Sequence, residues 1–89
     1  MTLKELVPKY IQKTERVFNE MTIAQGPPRI DEEKISCVLE TAKRYLEDAK
    51  YYRERNKLET SLASVAYCEG LLDGLRLLGV VEFSWQIKK

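Results

Sequence analysis

Two helix-length stretches of this chain stand end to end with only about three residues between them, and that short gap dictates how the chain must turn. The first runs over residues 31–54 and the second over residues 57–78. In the first, Ile35, Val38, Leu39, Ala42, Tyr45, Leu46, Ala49 and Tyr52 recur at three- and four-residue steps. That spacing puts them on one face of a helix. Cys37 and Tyr51 fall off this face. Asp31 is a good N-cap, and Glu32 and Glu33 set negative charge at the positive end of the helix dipole. Ile30 and Ile35 have the spacing of a hydrophobic staple. A connection this short leaves the two helices one arrangement, an antiparallel hairpin.

The second helix of the hairpin is thin. Ser61, Ala63, Ser64, Ala66, Gly70 and Gly74 give it little side-chain bulk. Each interior glycine costs about 1 kcal/mol against alanine, so something should offset it. Close approach by a neighbouring helix or by the tail is the first expectation, and a groove for a ligand or a partner helix is the second. Asn56 and Glu59 have the spacing of a capping pair. Gly79 is placed to stop the helix in a left-handed turn, with Val80 and Leu75 at the positions that meet in a Schellman motif.

The apolar face of this helix drifts. Leu58, Leu62, Val65 and Ala66 cluster in its first half, and Cys68, Leu71, Leu72, Leu75 and Leu78 cluster to one side in its second half. Extending the first cluster leads into Glu69, Asp73 and Arg76. A polar strip therefore continues an expected buried face. It reads as solvated surface, as a salt bridge within the helix or to Lys43 or Arg44, or as an acidic site. Two helical carboxylates are too few ligands to assign a metal.

Ahead of the hairpin, residues 2–21 carry a third amphipathic pattern with Leu3, Val7, Tyr10, Val17 and Met21 on one face. Thr2 and Glu5 have capping-box spacing. Pro8 either kinks one helix that begins at Thr2 or lies in the first turn of a shorter one; the first fits better, since Leu3 and Leu6 belong to the apolar face. Gln25-Gly26-Pro27-Pro28 breaks the pattern before the hairpin. The expected architecture is all-α, a three-helix up-down-up bundle with an extended apolar segment over residues 80–89. In that tail Val81, Phe83, Trp85 and Ile87 alternate with Glu82, Ser84, Gln86 and Lys88, the period of a half-buried strand. A helical bundle offers no sheet. The tail is expected to lie along the bundle, or to pair with a second copy or another protein's edge.

Composition limits the chemistry. The chain has 89 residues, which bounds it to one domain. Fifteen basic and 14 acidic residues leave a net charge of +1, without the basic excess of a dedicated nucleic-acid binder. Histidine is absent, which removes the commonest general base and the commonest zinc ligand. Cys37 and Cys68 fit neither metal spacing nor a disulfide framework, which points to a reduced, cytoplasmic setting. No apolar run reaches the roughly 20 residues of a membrane span. No catalytic residue, metal ligand or cofactor is assigned.

The stretch from Thr41 to Trp85 resembles an archaeal family, the domain of unknown function 357. The residues that carry the resemblance are Ala42, Tyr45, Leu46 and Ala49, the run Ala63-Ser64-Val65-Ala66-Tyr67 with Glu69-Gly70-Leu71-Leu72-Asp73, and Leu75-Arg76-Leu77-Leu78-Gly79. Cys68 and Gly74 stand where alanine is expected. The resemblance implies a three-helix bundle and an archaeal, cytoplasmic protein; it implies no catalytic residues. The functional expectation is a non-enzymatic interaction or scaffold module, with a homodimer or an unidentified protein as partner. The candidate contact residues are Glu69, Asp73, Arg76, Phe83 and Trp85. The alternatives are an RNA-associated accessory protein and a carboxylate-based metal- or ligand-binding module.

Overall fold

The structure, a computed structural model, describes residues 2–86. Ile87 and Lys88, part of the expected alternation, lie outside the described residues. Three helices follow one another, α1 (Leu3–Glu20), α2 (Glu32–Glu54) and α3 (Leu58–Leu77), with no strand among the described residues. The class and helix order match the sequence reading.

Local chemistry sets the helix ends. Thr2 caps α1 by accepting from the Glu5 N–H at 3.3 Å. The helix runs through Pro8 as one element. Proline's missing N–H leaves the carbonyl one turn back without its helical donor. Asp31 caps α2, accepting from the Lys34 N–H at 3.0 Å. The expected Asn56–Glu59 cap does not form. Lys57 is the N-cap residue of α3 and makes no side-chain capping bond. Asn56 instead adopts φ 58° and ends α2. Its N–H reaches the Arg53 carbonyl at 3.0 Å, and the Lys57 N–H reaches Tyr52 at 2.9 Å. That is a Schellman closure on asparagine, the residue besides glycine that most readily takes the left-handed conformation.

α2 and α3 pack against each other as the short gap requires. Their seam is made of small residues. Ala42, Ala49, Cys68 and Leu75 are the buried core, with Ala42 only 2% exposed. Ser61 lies in the same seam, and its hydroxyl donates to the Ala49 carbonyl at 2.7 Å. Tyr45 and Tyr67 stack across the hairpin with ring centroids 4.3 Å apart. The α2 face is as expected but for Leu46, which is exposed: Ile35, Val38, Leu39, Tyr45 and Tyr52 are half-buried, while Cys37 and Tyr51 are exposed.

The α3 face differs from its expectation. Leu58 and Leu62 point to solvent, 59% and 68% exposed. The covered positions in the first half of α3 are instead Ser61 and Ser64 beside the expected Val65, while in the second half Cys68, Leu71, Leu72 and Leu75 are buried or half-buried as expected and Leu78 is exposed. Ser61 takes an inner position because its hydroxyl finds a carbonyl across the seam, which offsets the cost of burying it.

α1 does not close the bundle. No Cα atom of α1 comes within 8 Å of one in α2 or α3. Val7, Tyr10, Ile11, Val17, Phe18 and Met21 are all exposed, and only Leu6 on this helix is half-buried. The opening shows in the dimensions. Accessible surface is 8367 Å², against about 5,400 Å² for a compact monomer of this mass. The radius of gyration is 16.0 Å, against about 12 Å for a compact chain of this length.

Candidate functional site

At the C-terminal end of α3 the chain reverses and lays its tail back on the helix. Gly79, at φ 78°, makes the turn. Its N–H bonds the Arg76 carbonyl at 2.9 Å, and the Val80 N–H bonds Leu75 at 3.2 Å. This is the Schellman motif expected from Leu75, Gly79 and Val80. Val80 and Val81 are half-buried behind it. The Gln86 N–H donates to Ser84 Oγ at 3.1 Å, which curls the end of the tail away from a straight strand.

The reversal brings four of the five candidate residues together. Trp85 Nε1 donates to Asp73 Oδ1 at 2.7 Å. The same oxygen accepts from Arg76 Nε at 3.2 Å and Arg76 Nη2 at 3.1 Å. The Arg76 guanidinium lies 5.9 Å from the Phe83 ring centre. Phe83 and Trp85 meet edge to face at 4.9 Å, a favoured aromatic geometry. So the tail packs on its own helix, and Asp73 is its anchor. Glu69, the fifth candidate, is exposed and outside this cluster. Neither Lys43 nor Arg44 joins the strip; Arg44 reaches Thr41 Oγ1 at 3.5 Å on its own helix.

The cluster is a surface device. The Asp73 and Arg76 side chains keep 43% and 40% exposure, so their ion pair adds little stability by itself. Asp73 is held below its ordinary pKa, first by the Trp85 hydrogen bond, against a smaller desolvation effect, and then by the hydrogen bonds and charge of Arg76. A carboxyl with a lowered folded pKa stabilises the fold fully above its unfolded pKa and loses that contribution as pH falls through the folded one. Trp85 is the sole tryptophan and reports this directly. Its emission is expected to stay constant down to the ordinary carboxylate range and to shift red below it. Asp73→Asn is expected to remove the step.

The two thiols separate by environment. Cys37 is exposed and Cys68 buried. Burial pushes the Cys68 thiol up, and the charge of Glu69 adds to this. A disulfide-exchange reagent at neutral pH is expected to titrate one thiol in the native protein and both after denaturation. Among the described residues, no three acidic or cysteine side chains converge as a metal site would need.

The interior glycines of α3 do not serve a close approach within the chain. A Cβ built on Gly70 or Gly74 meets nothing within 4 Å. The neighbouring helix and the tail both lie elsewhere, contrary to the close approach expected at these glycines. With Ala63 and Ala66, both exposed, these glycines form a thin, uncovered side of α3. Its N-terminal end faces α1 across an open cleft of about 840 Å³, lined by Leu3, Leu6, Val7, Tyr10 and Ile11 on one side and Glu59, Thr60 and Ala63 on the other. The cleft was not legible in the sequence, because amphipathic spacing in α1 says that a face will be covered and not by what.

The family model described as "Protein of unknown function (DUF357)" matches residues 9–81. The chain belongs to the DUF357 family. The match begins within α1, spans the whole hairpin and ends two residues past Gly79. The DUF357 segment thus holds Asp73 and Arg76 but stops short of Phe83 and Trp85, so the tail half of the cluster lies beyond it. No curated protein and no solved structure matches the chain significantly. No helix among the described residues is long and apolar enough to cross a membrane.

Proposed function

We propose that this DUF357 protein is a small non-enzymatic interaction module that works by presenting α1. The observation that carries this is the uncovered apolar face of α1, with Val7 at 50%, Tyr10 at 61% and Phe18 at 71% exposure. An apolar face of this extent on a small protein marks a contact surface. The hairpin is the rigid base, and the Asp73–Trp85 anchor holds the tail down so that it does not compete for that face. Charged residues flank the face on α1, as in a helix that docks by its apolar side.

A photo-crosslinking residue in place of Phe18 tests the reading in the native cell. An adduct of defined mass, absent when the probe is moved to Gln12 on the polar side, is the expected result. The same adduct pattern from both positions, or none from either, would overturn it.

A further inference from the structure

We infer that the occupant of the open face is a second copy of this chain, with α1 of each copy seated along the thin side of α3 in the other. This rests on the reading of α1 as a contact helix and adds the partner. Three observations point to a second copy. The first is shape: one chain carries both a helix of protruding side chains, α1, and a shorter uncovered strip of alanine and glycine on α3, from Ala63 to Gly74. Large side chains from one helix fit where a facing helix has none, and a two-fold pair satisfies both surfaces at once.

The second observation is charge. α1 holds Lys4, Lys9, Lys13 and Arg16 against Glu5, Glu15 and Glu20, a net of +1. α3 holds Arg76 against Glu59, Glu69 and Asp73, a net of −2. α1 is therefore matched to α3 and not to a second α1. The third is area. The surface of 8367 Å² exceeds that of a compact chain by about 3,000 Å², so a pair has roughly 6,000 Å² to bury, at the upper end of the total area that obligate homodimers bury. The extended Gly26-Pro27-Pro28 connection holds α1 away from its own hairpin, an arrangement that favours exchange between copies.

The glycines supply a clean test. A Cβ at Gly70 or Gly74 meets nothing within 4 Å in the single chain, so a leucine there is expected to leave the hairpin folded and to raise its helix propensity. The same leucine blocks a docked helix. Sedimentation equilibrium of the full chain, from micromolar to submillimolar concentration, is expected to give the mass of two chains. Gly74→Leu and Val17→Asp are each expected to weaken association about a hundredfold, with helical circular dichroism and thermal unfolding of Gly74→Leu showing an intact hairpin.

A dimer indifferent to both variants overturns the proposed surface. A wild-type monomer throughout overturns the second copy. Amide exchange on that monomer then separates the two readings: fast exchange in α1 leaves the contact-helix reading standing with another partner, while α1 protected like α3 shows it folded on its own hairpin and removes both.

Discussion

Leu75→Ala is expected to lower stability by about 2–5 kcal/mol, the largest effect of any single truncation in the chain. Leu75 is the one large side chain among the four buried residues. Removing it leaves a cavity in the α2–α3 seam. The loss is compounded at the helix end, because the Leu75 carbonyl also accepts from Val80 in the Gly79 turn, and a looser helix end frees the tail. Chemical denaturation followed by far-ultraviolet circular dichroism reads the loss. A small domain has only a few kcal/mol in reserve, so much of the variant population should be unfolded at physiological temperature. A change below about 1 kcal/mol would mean that the seam between α2 and α3 is not the core.

Ala42→Leu is the second large effect, and it works in the opposite sense. Ala42 is 2% exposed and sits where the two helices of the hairpin come together. Three added carbons have no space there. Overpacking is expected to cost about 1–3 kcal/mol and to push α3 outward, parting the Tyr45–Tyr67 stack. The same substitution at Ala66, exposed in the single chain, is expected to leave the stability of the unassociated hairpin unchanged within about 0.5 kcal/mol when measured in dilute protein. Paired denaturation curves for the two leucine variants check both statements, and near-ultraviolet circular dichroism of the tyrosines reports the stack.

The contrast between these positions explains what could be read from the sequence. Helix order, the hairpin, the Asp31 cap and the Gly79 stop follow from local rules, because each depends on residues a few places apart. The α2 face was legible for the same reason: its apolar residues are large and regularly spaced. The first half of the α3 face was not, because Ser61 and Ser64 take covered positions there while Leu58 and Leu62 are exposed. Ser61 goes inside by donating to a carbonyl twelve residues away, and no spacing of apolar residues announces that bond. Leu62 looks like core and is surface.

The site shows the same division. Asp73, Arg76, Phe83 and Trp85 could be singled out from two local mismatches, a polar strip on α3 and a tail with one apolar side. Their meeting is set by the left-handed turn at Gly79, which returns the tail along the last turns of the helix. Glu69 was grouped with them by helical spacing alone. It lies one turn too far from the reversal for the tail to reach. Asn56 was read as a cap because its side chain suits one; its backbone is what the hairpin uses.

On the proposed reading the hairpin folds by itself and α1 is covered only by a second copy. Residue-resolved amide exchange on the full chain, compared at low and high protein concentration, tests this most directly. The α2–α3 seam is expected to be protected at both concentrations, while α1 exchanges fast when dilute and gains protection as concentration rises. Protection of α1 equal to that of α3 in the dilute protein would contradict the account.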